Sequence, residues 1–309
     1  MEYRQLGNSG LQVSAIGLGT NNFGWRLDAR STARVMDQAL DEGITLIDTA
    51  NMYGDSLSES YIGRAIRGKR DAFILATKVS MSMGDGPNMR GNSRYHILKE
   101  VEDSLKRLNT DYIDLYQIHQ TDSNTPIEET LHALDYLVAQ GKVRYIGCSN
   151  FMAWEVCEAI WTSRAKNLVA FSTVQPRYSM LDREVEVELV PFCKSYGIGI
   201  LPYFPLASGF LTGKYRRDEP APEGTRLAEG DRGMFTDKNF NILEALEEFA
   251  RERDHTILDL AFAWLLANPR VCSVIAGATT PEQVTANAAT VGWDLSDEEM
   301  EEIDEILNN

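Results

Sequence analysis

Asp48, Tyr53, Lys78 and His119 are the residues of this chain whose types and placement could do chemistry together. A carbonyl is reduced when hydride reaches its carbon while a proton reaches its oxygen. A phenol can supply that proton, but with an ordinary pKa near ~10 it is a reluctant donor. A neighbouring ammonium stabilises the phenolate and lowers that value. Lys78 is the candidate for this part beside Tyr53, and Asp48 is the counter-charge Lys78 then needs. His119 would hydrogen-bond the substrate oxygen and fix its orientation. Singly, each residue has a bland reading. A tyrosine usually buries its ring with its hydroxyl satisfied, and a lysine or aspartate at a strand end usually makes a surface ion pair. A lone histidine is more often structural than catalytic. The set carries weight only if the fold brings all four to one place.

The elements that must do so are legible as apolar runs. Asp48 closes Thr45-Leu46-Ile47, and Tyr53 sits in the polar turn after it. Lys78 closes the run from Ala72 to Thr77, and His119 closes the run from Tyr112 to Ile118. Further strand-like runs cover Ala15–Leu18, Val143–Cys148, Ala170–Val174, Ile198–Leu201 and Cys272–Ile275. Amphipathic stretches alternate with them. Ser93 is an N-cap for a helix over Arg94–Leu108, Pro126 opens a helix reaching about Ala139, and Gly141 stops it. Another helix spans Thr256–Ala267 before Asn268-Pro269. Strand ends recur roughly every 30 residues up to strand seven, the length of one strand, one helix and two loops. Parallel strands with crossover helices follow, as a closed (β/α)₈ barrel or an open doubly wound sheet. The open sheet would want a Gly-x-Gly-x-x-Gly turn after strand one. Here Gly17-Leu18-Gly19-Thr20-Asn21-Asn22 puts Asn22 in the third glycine's place. Eight strands with functional-looking ends favour the barrel, as one domain over residues 1–309. Tyr3–Leu6 and Leu11–Val13, around Gly7-Asn8-Ser9-Gly10, predict an N-terminal hairpin. Two long loops, Ser80–Asn92 and Tyr203–Thr236, fall on the strand ends where barrel sites form.

Composition narrows the class. The net charge is −16, from 46 acidic and 30 basic residues, a surface that repels nucleic acid and anionic membranes. Much of this acid sits in stretches such as Glu184-Glu186-Glu188, which predict solvated faces. No apolar stretch approaches the ~18 residues of a membrane span, and the start, Met1-Glu2-Tyr3-Arg4-Gln5, lacks the regions of a signal peptide. The four cysteines are scattered without a Cys-x-x-Cys pair, so Cys148 and Cys272 are expected as buried small residues in a reducing, cytoplasmic setting. Four histidines without metal-ligand spacing argue against a metal-dependent hydrolase.

The chain resembles the aldo-keto reductases over essentially its whole length. The resemblance rests on Gly17-Leu18-Gly19-Thr20, Leu46-Ile47-Asp48-Thr49-Ala50 with Tyr53-Gly54, Ala76-Thr77-Lys78, and Asp111 through His119. It continues through Gly141-Lys142-Val143-Arg144-Tyr145-Ile146-Gly147-Cys148-Ser149-Asn150-Phe151 and Gly209-Phe210-Leu211-Thr212-Gly213-Lys214-Tyr215. It implies a (β/α)₈ barrel that reduces aldehydes and ketones with NADPH and no metal, with the family's tetrad on Asp48, Tyr53, Lys78 and His119. The long loops resemble the branch related to potassium-channel β subunits.

The resemblance also implies cofactor contacts. Gly19, Thr20 and Asn21 follow strand one. Ser149, Asn150 and Gln175 match residues that hold the nicotinamide carboxamide, and Tyr203 the aromatic that stacks on its ring. Phe204, Pro205, Leu206, Ser208, Gly209, Leu211 and Lys214 belong to the pyrophosphate strap. Gly277 and Thr279 lead into a helix whose free N–H groups suit a phosphate, and Gln283 and Asn287 match adenosine contacts. Two departures stand here. Thr279 and Thr280 are neutral where many relatives place a cation, and Ala286 stands where relatives often have Glu. Arg226 in the strand-seven loop is the candidate cation for the 2′-phosphate. NADP(H) is therefore expected, with NAD(H) left open. For substrate, Trp25, Tyr53, His119 and the long loops are the expected pocket, with Met81, Met83 and Met89 as an apolar lid. Such a mouth suits apolar or aromatic carbonyls. The competing reading is a slow-turnover regulatory module like the channel β subunits; oligomeric state stays open.

Overall fold

In a computed structural model describing residues 1–308, ten strands and ten α-helices alternate as the spacing predicts. The hairpin strands are β1 (Tyr3–Gln5) and β2 (Gln12–Ser14). Then come β3 (Ile16–Gly19), α1 (Ala29–Asp41), β4 (Leu46–Asp48), α2 (Leu57–Ala65), β5 (Ile74–Val79), α3 (Arg94–Leu108) and β6 (Ile113–Ile118). Next are α4 (Ile127–Ala139), β7 (Val143–Ser149), α5 (Ala153–Lys166), β8 (Thr173–Gln175), α6 (Leu189–Tyr196) and β9 (Gly199–Ile200). The chain ends with α7 (Asp237–Arg251), α8 (Ile257–Leu266), β10 (Val274–Gly277), α9 (Pro281–Ala289) and α10 (Asp297–Asn308). Eight parallel strands lie in the order β10-β3-β4-β5-β6-β7-β8-β9. The ring closes between β9 and β10 through backbone bonds from Ile200 N to Arg270 O (2.7 Å), Cys272 N to Ile200 O (2.9 Å) and Ile275 N to Pro202 O (2.9 Å). The fold is the (β/α)₈ barrel that the strand spacing favoured over the open sheet.

Two apolar layers hold it. Inside the ring, Leu46, Ala76, Leu115, Leu201 and Ile275 pack with Leu6 and Val13, which the hairpin inserts from the N-terminal end. Alternate residues of the same strands face outward and pack on the helices, as at Ile47, Leu75 and Tyr116. The hairpin turn approaches the strands so closely that a Cβ on Gly7, whose φ is +59°, would lie 2.2 Å from the Ser172 carbonyl oxygen. Arg4 secures the same end by donating to Leu266 O (2.8 Å) at the C-terminus of α8.

Side chains cap the helix starts, as expected at Ser93 and, at Thr256, one residue before the helix read from there begins. Ser93 Oγ accepts from His96 N at 3.3 Å, and Thr256 and Asp259 form a reciprocal capping box on α8. Strand boundaries shift. The run from Ala72 does not start a strand, because Arg70–Ala72 forms a 3₁₀ turn held by Arg70 bonds to Phe73 O, Tyr112 O and Asp114. At its other end β5 runs on to Val79 by pairing with Ile118, so Lys78 lies inside the strand rather than after it. Cys148 is buried in β7, whereas Cys272 is buried just before β10. Among the described residues no helix is long and apolar enough to cross a membrane.

Candidate active site

Asp48, Tyr53, Lys78 and His119 meet at the C-terminal end of the ring. Parallel strands in register account for it: Asp48 pairs with Ala76, and Lys78 with Gln117, so three neighbouring strands deliver their ends to one level. Lys78 is fully buried, and its ammonium donates to Asp48 Oδ2 at 2.6 Å and to Thr49 O at 2.9 Å. Asp48 Oδ1 accepts from Gln175 Nε2 at 2.8 Å and Gln117 Nε2 at 3.2 Å. The carboxylate thus receives three side-chain donors, which is what a buried charge requires. Tyr53 stands in the turn after β4, with Lys78 Nζ 5.2 Å from its ring centroid. That turn is fixed by close approach: a Cβ on Gly54, at φ +56°, would lie 2.4 Å from Phe23 O.

The electrostatics depart from the expectation in one respect. Burial pushes the Tyr53 phenol up, Lys78 pulls it down, Asp48 pushes it up, and the net direction is upward. Desolvation outweighs the ammonium, so Tyr53 keeps its proton and is not poised near neutrality. Burial also works against the Lys78 ammonium, but Asp48 and Tyr53 outweigh it and hold Lys78 above its ordinary value. His119 stands edge-on to Tyr53, with ring centroids 5.9 Å apart. Burial, then the charge on Lys78, drives its pKa down to about 3, so the imidazole is neutral across the physiological range. Its Nδ1 is buried with no hydrogen-bond partner.

A linkage prediction follows from this shift. The folded value lies below the ordinary 6.5, so the unfolded chain binds the His119 proton more readily. This contribution to stability is present above about pH 6.5 and is lost as pH falls from there toward 3. The His119 imidazole, followed by ¹⁵N-detected NMR, should show no titration between pH 8 and pH 5. A midpoint near 6 would overturn its neutral assignment.

A cavity of about 770 Å³ runs from this cluster across the top of the barrel. Asp48, Tyr53, His119, Ser149, Asn150, Gln175 and Tyr203 line one end. There Asn150 adopts a left-handed conformation (φ 58°), donates to His119 O at 2.9 Å and accepts from the Tyr203 hydroxyl at 2.8 Å. Gly19, Thr20, Asn21, Gly277, Thr279, Gln283 and Asn287 line the far side, and Phe204, Pro205, Leu206, Ser208, Gly209, Lys214 and Arg226 line the strap. The strap curls through left-handed conformations at Phe204, Ala207, Ser208 and Gly209. Lys214 and Arg226 have no carboxylate partner among the described residues; Arg226 instead donates to Asn22 Oδ1 at 3.1 Å. Burial, then neighbouring cations, holds both below their ordinary values: Arg226 and Arg26 act on Lys214, and Arg232 and Arg26 on Arg226. Uncompensated cations in a cavity are a demand for an anion.

Not every expected residue lines this cavity. Leu211 is fully buried beside Phe210 in the outer core, because the strap's turn directs it inward. Trp25 is 57 % exposed, with its indole N–H donating to Asn21 O at 2.8 Å. Met81, Met83 and Met89 are half-buried in their own loop and line no part of it. Lys78 lies behind the surface, reaching it only through Tyr53 and Asp48. Arg26 was not signalled by any motif, yet it lines the cavity and ion-pairs with Glu229 across the strap. Only its place in the loop after β3 could have suggested it. Among the described residues no group of three or more His, Cys, Asp or Glu is placed to hold a metal.

Comparison with known proteins places this barrel. The model of the aldo/keto reductase family matches residues 15–308. The chain is 40 % identical to the uncharacterized oxidoreductase YrpG of Bacillus subtilis (strain 168), over 99 % of this chain and 96 % of that protein. It is 36 % identical to a probable voltage-gated potassium channel subunit beta of Arabidopsis thaliana, over 94 % of this chain and 91 % of the relative. It is 35 % identical to an L-glyceraldehyde 3-phosphate reductase of Escherichia coli O157:H7, over 99 % and 92 %. The chain belongs to the aldo/keto reductase family. Membership makes it an oxidoreductase of carbonyl chemistry.

Proposed function

We propose that the protein reduces aldehydes and ketones with NADPH, using Tyr53 as proton donor. The observation that carries this reading is the buried Lys78–Asp48 pair held against the Tyr53 phenol at the cavity wall. When bound, the reduced nicotinamide supplies the hydride. Ser149, Asn150 and Gln175 would hold its carboxamide, Tyr203 its ring, and the strap from Phe204 to Lys214 its phosphates. The cavity's volume of about 770 Å³ and its unpaired cations suit such a dinucleotide.

The remaining roles belong to the chain. The Tyr53 hydroxyl donates its proton to the carbonyl oxygen as charge develops there. Lys78, held by Asp48, stabilises the phenolate left behind. His119, being neutral, donates a hydrogen bond to the same oxygen without adding a charge. Its Nδ1 has no protein partner, so the proton on the cavity-facing nitrogen is fixed by the substrate rather than by a carboxylate. Mixing the purified protein with NADPH and a panel of small aldehydes, and following nicotinamide absorbance, tests the reading. Tight cofactor binding with negligible turnover on every carbonyl would replace it with the regulatory-module reading, which no observation here favours.

Cofactor choice rests on Arg226. It is the unpaired guanidinium nearest Asn21 and Asn22, at the side of the cavity that also carries Thr279 and Gln283. Arg226→Ala should weaken NADPH binding roughly tenfold or more, the scale of one charge-assisted phosphate contact, and NADH binding much less. Equal losses in both dissociation constants would remove Arg226 from that role.

A further inference from the structure

The barrel wall behind the candidate site hides a second polar system that the proposed chemistry does not use. Thr77 and Lys78 are adjacent in β5, so their side chains point to opposite faces. Lys78 enters the ring, while Thr77 faces the helix layer, where its hydroxyl donates to Glu59 Oε1 at 2.6 Å. Glu59 lies in the first turn of α2, the helix that follows the Tyr53 turn. Its other oxygen accepts from Arg107 Nε at 2.6 Å. Arg107, in the last turn of α3, also pairs with Glu100 Oε2 at 3.6 Å. The same Glu100 oxygen accepts from Asn51 Nδ2 at 3.1 Å. Asn51 returns the chain to the Tyr53 turn, and its backbone N–H donates to Lys78 O at 3.2 Å. Thr77, Glu59 and Asn51 are completely buried, and Glu100 is 1 % exposed.

We propose that the chain Thr77–Glu59–Arg107–Glu100–Asn51, buried except at the 20 % exposed Arg107, is a positioning device that sets the Tyr53 turn against the strand carrying Lys78. The geometry is specific to that task. Asn51 grips the turn two residues before Tyr53, Glu59 grips it six residues after, and Thr77 is the covalent neighbour of the ammonium residue. Charged hydrogen bonds to buried carboxylates resist displacement more than apolar packing does. A purely stabilising role would not need both ends of one network to land beside the same pair. The kinetic consequence rests on Tyr53 being the proton donor; the geometric claim does not.

The experiment separates the two. Thr77→Val keeps the side-chain shape and removes the hydroxyl, Thr77→Ser restores it, and Asn51→Leu cuts the other end. The titratable groups around the phenol are Lys78, Asp48, neutral His119 and Tyr203, of which only Lys78 draws its pKa down. In ¹³C-tyrosine NMR, with the Tyr53 signal assigned through Tyr53→Phe, Thr77→Val and Asn51→Leu should raise the Tyr53 midpoint by about one pH unit. Turnover number should fall roughly 10- to 100-fold, the cost of misplacing a reacting group by about an ångström, with KM and NADPH affinity nearly unchanged. Thr77→Ser should return both to wild-type values. An unaltered Tyr53 titration in Thr77→Val would overturn the proposal, as would a lower melting temperature with unaltered turnover number. Wild-type turnover in Tyr53→Phe would instead sink the proton-donor reading, while the titration would still decide the positioning claim.

Discussion

Tyr53→Phe is expected to lower the turnover number for aldehyde reduction by roughly 10²–10⁴-fold, the range one general acid contributes. The loss should fall on chemistry and spare binding. The ring stays, and with it the edge contact to His119 at 5.9 Å and the face presented to Lys78. No cavity opens and no buried charge loses its main partner, since Lys78 keeps its bonds to Asp48 and Thr49. Nor can another residue easily take over. His119 is neutral, and the Lys78 ammonium is held above its ordinary value, so neither readily releases a proton. Steady-state assays of both proteins, with NADPH affinity measured by nicotinamide fluorescence, check this. A variant within tenfold of wild type would remove Tyr53 as the acid.

Lys78→Met should cost both stability and activity. Methionine fills much of the volume, but the Asp48 carboxylate is left buried with only Gln175 and Gln117 as side-chain donors. Removing one member of a buried ion pair typically costs about 3–5 kcal/mol. The phenol also loses the one charge that lowers its pKa. Equilibrium denaturation in urea measures the first effect and turnover the second. The double variant Asp48→Asn with Lys78→Met distinguishes them. Neutralising both partners should recover most of the lost stability, because no unpaired charge remains, while activity stays lost. Full stability in the single variant would mean that the pair is not the buried, mutually dependent unit its geometry describes.

These two substitutions bear on different features of one design. Tyr53 sits at the cavity surface, where it can meet a substrate. The Lys78–Asp48 pair sits inside the strand ring, where water cannot weaken its charges.

The sequence by itself determined the architecture. Strand and helix patterns alternate with a near-constant period, the failed third glycine at Asn22 argued against an open sheet, and the cap at Ser93 marked its helix start to the residue. It also identified the four residues that meet at the ring, because strand ends in a parallel barrel share one rim. Local patterns suffice for such features, since they depend on neighbours a few residues away. Tertiary structure alone decided the rest. Whether burial or the ammonium governs the Tyr53 phenol depends on how much protein surrounds it, and burial won. Leu211 turned into the core and Trp25 out to solvent, because the two loops that carry them follow contacts far along the chain. The links from Arg26 to Glu229 and from Asn51 to Glu100 join residues 203 and 49 positions apart. No local periodicity encodes such pairs, because they exist only once the helices have packed against the closed ring.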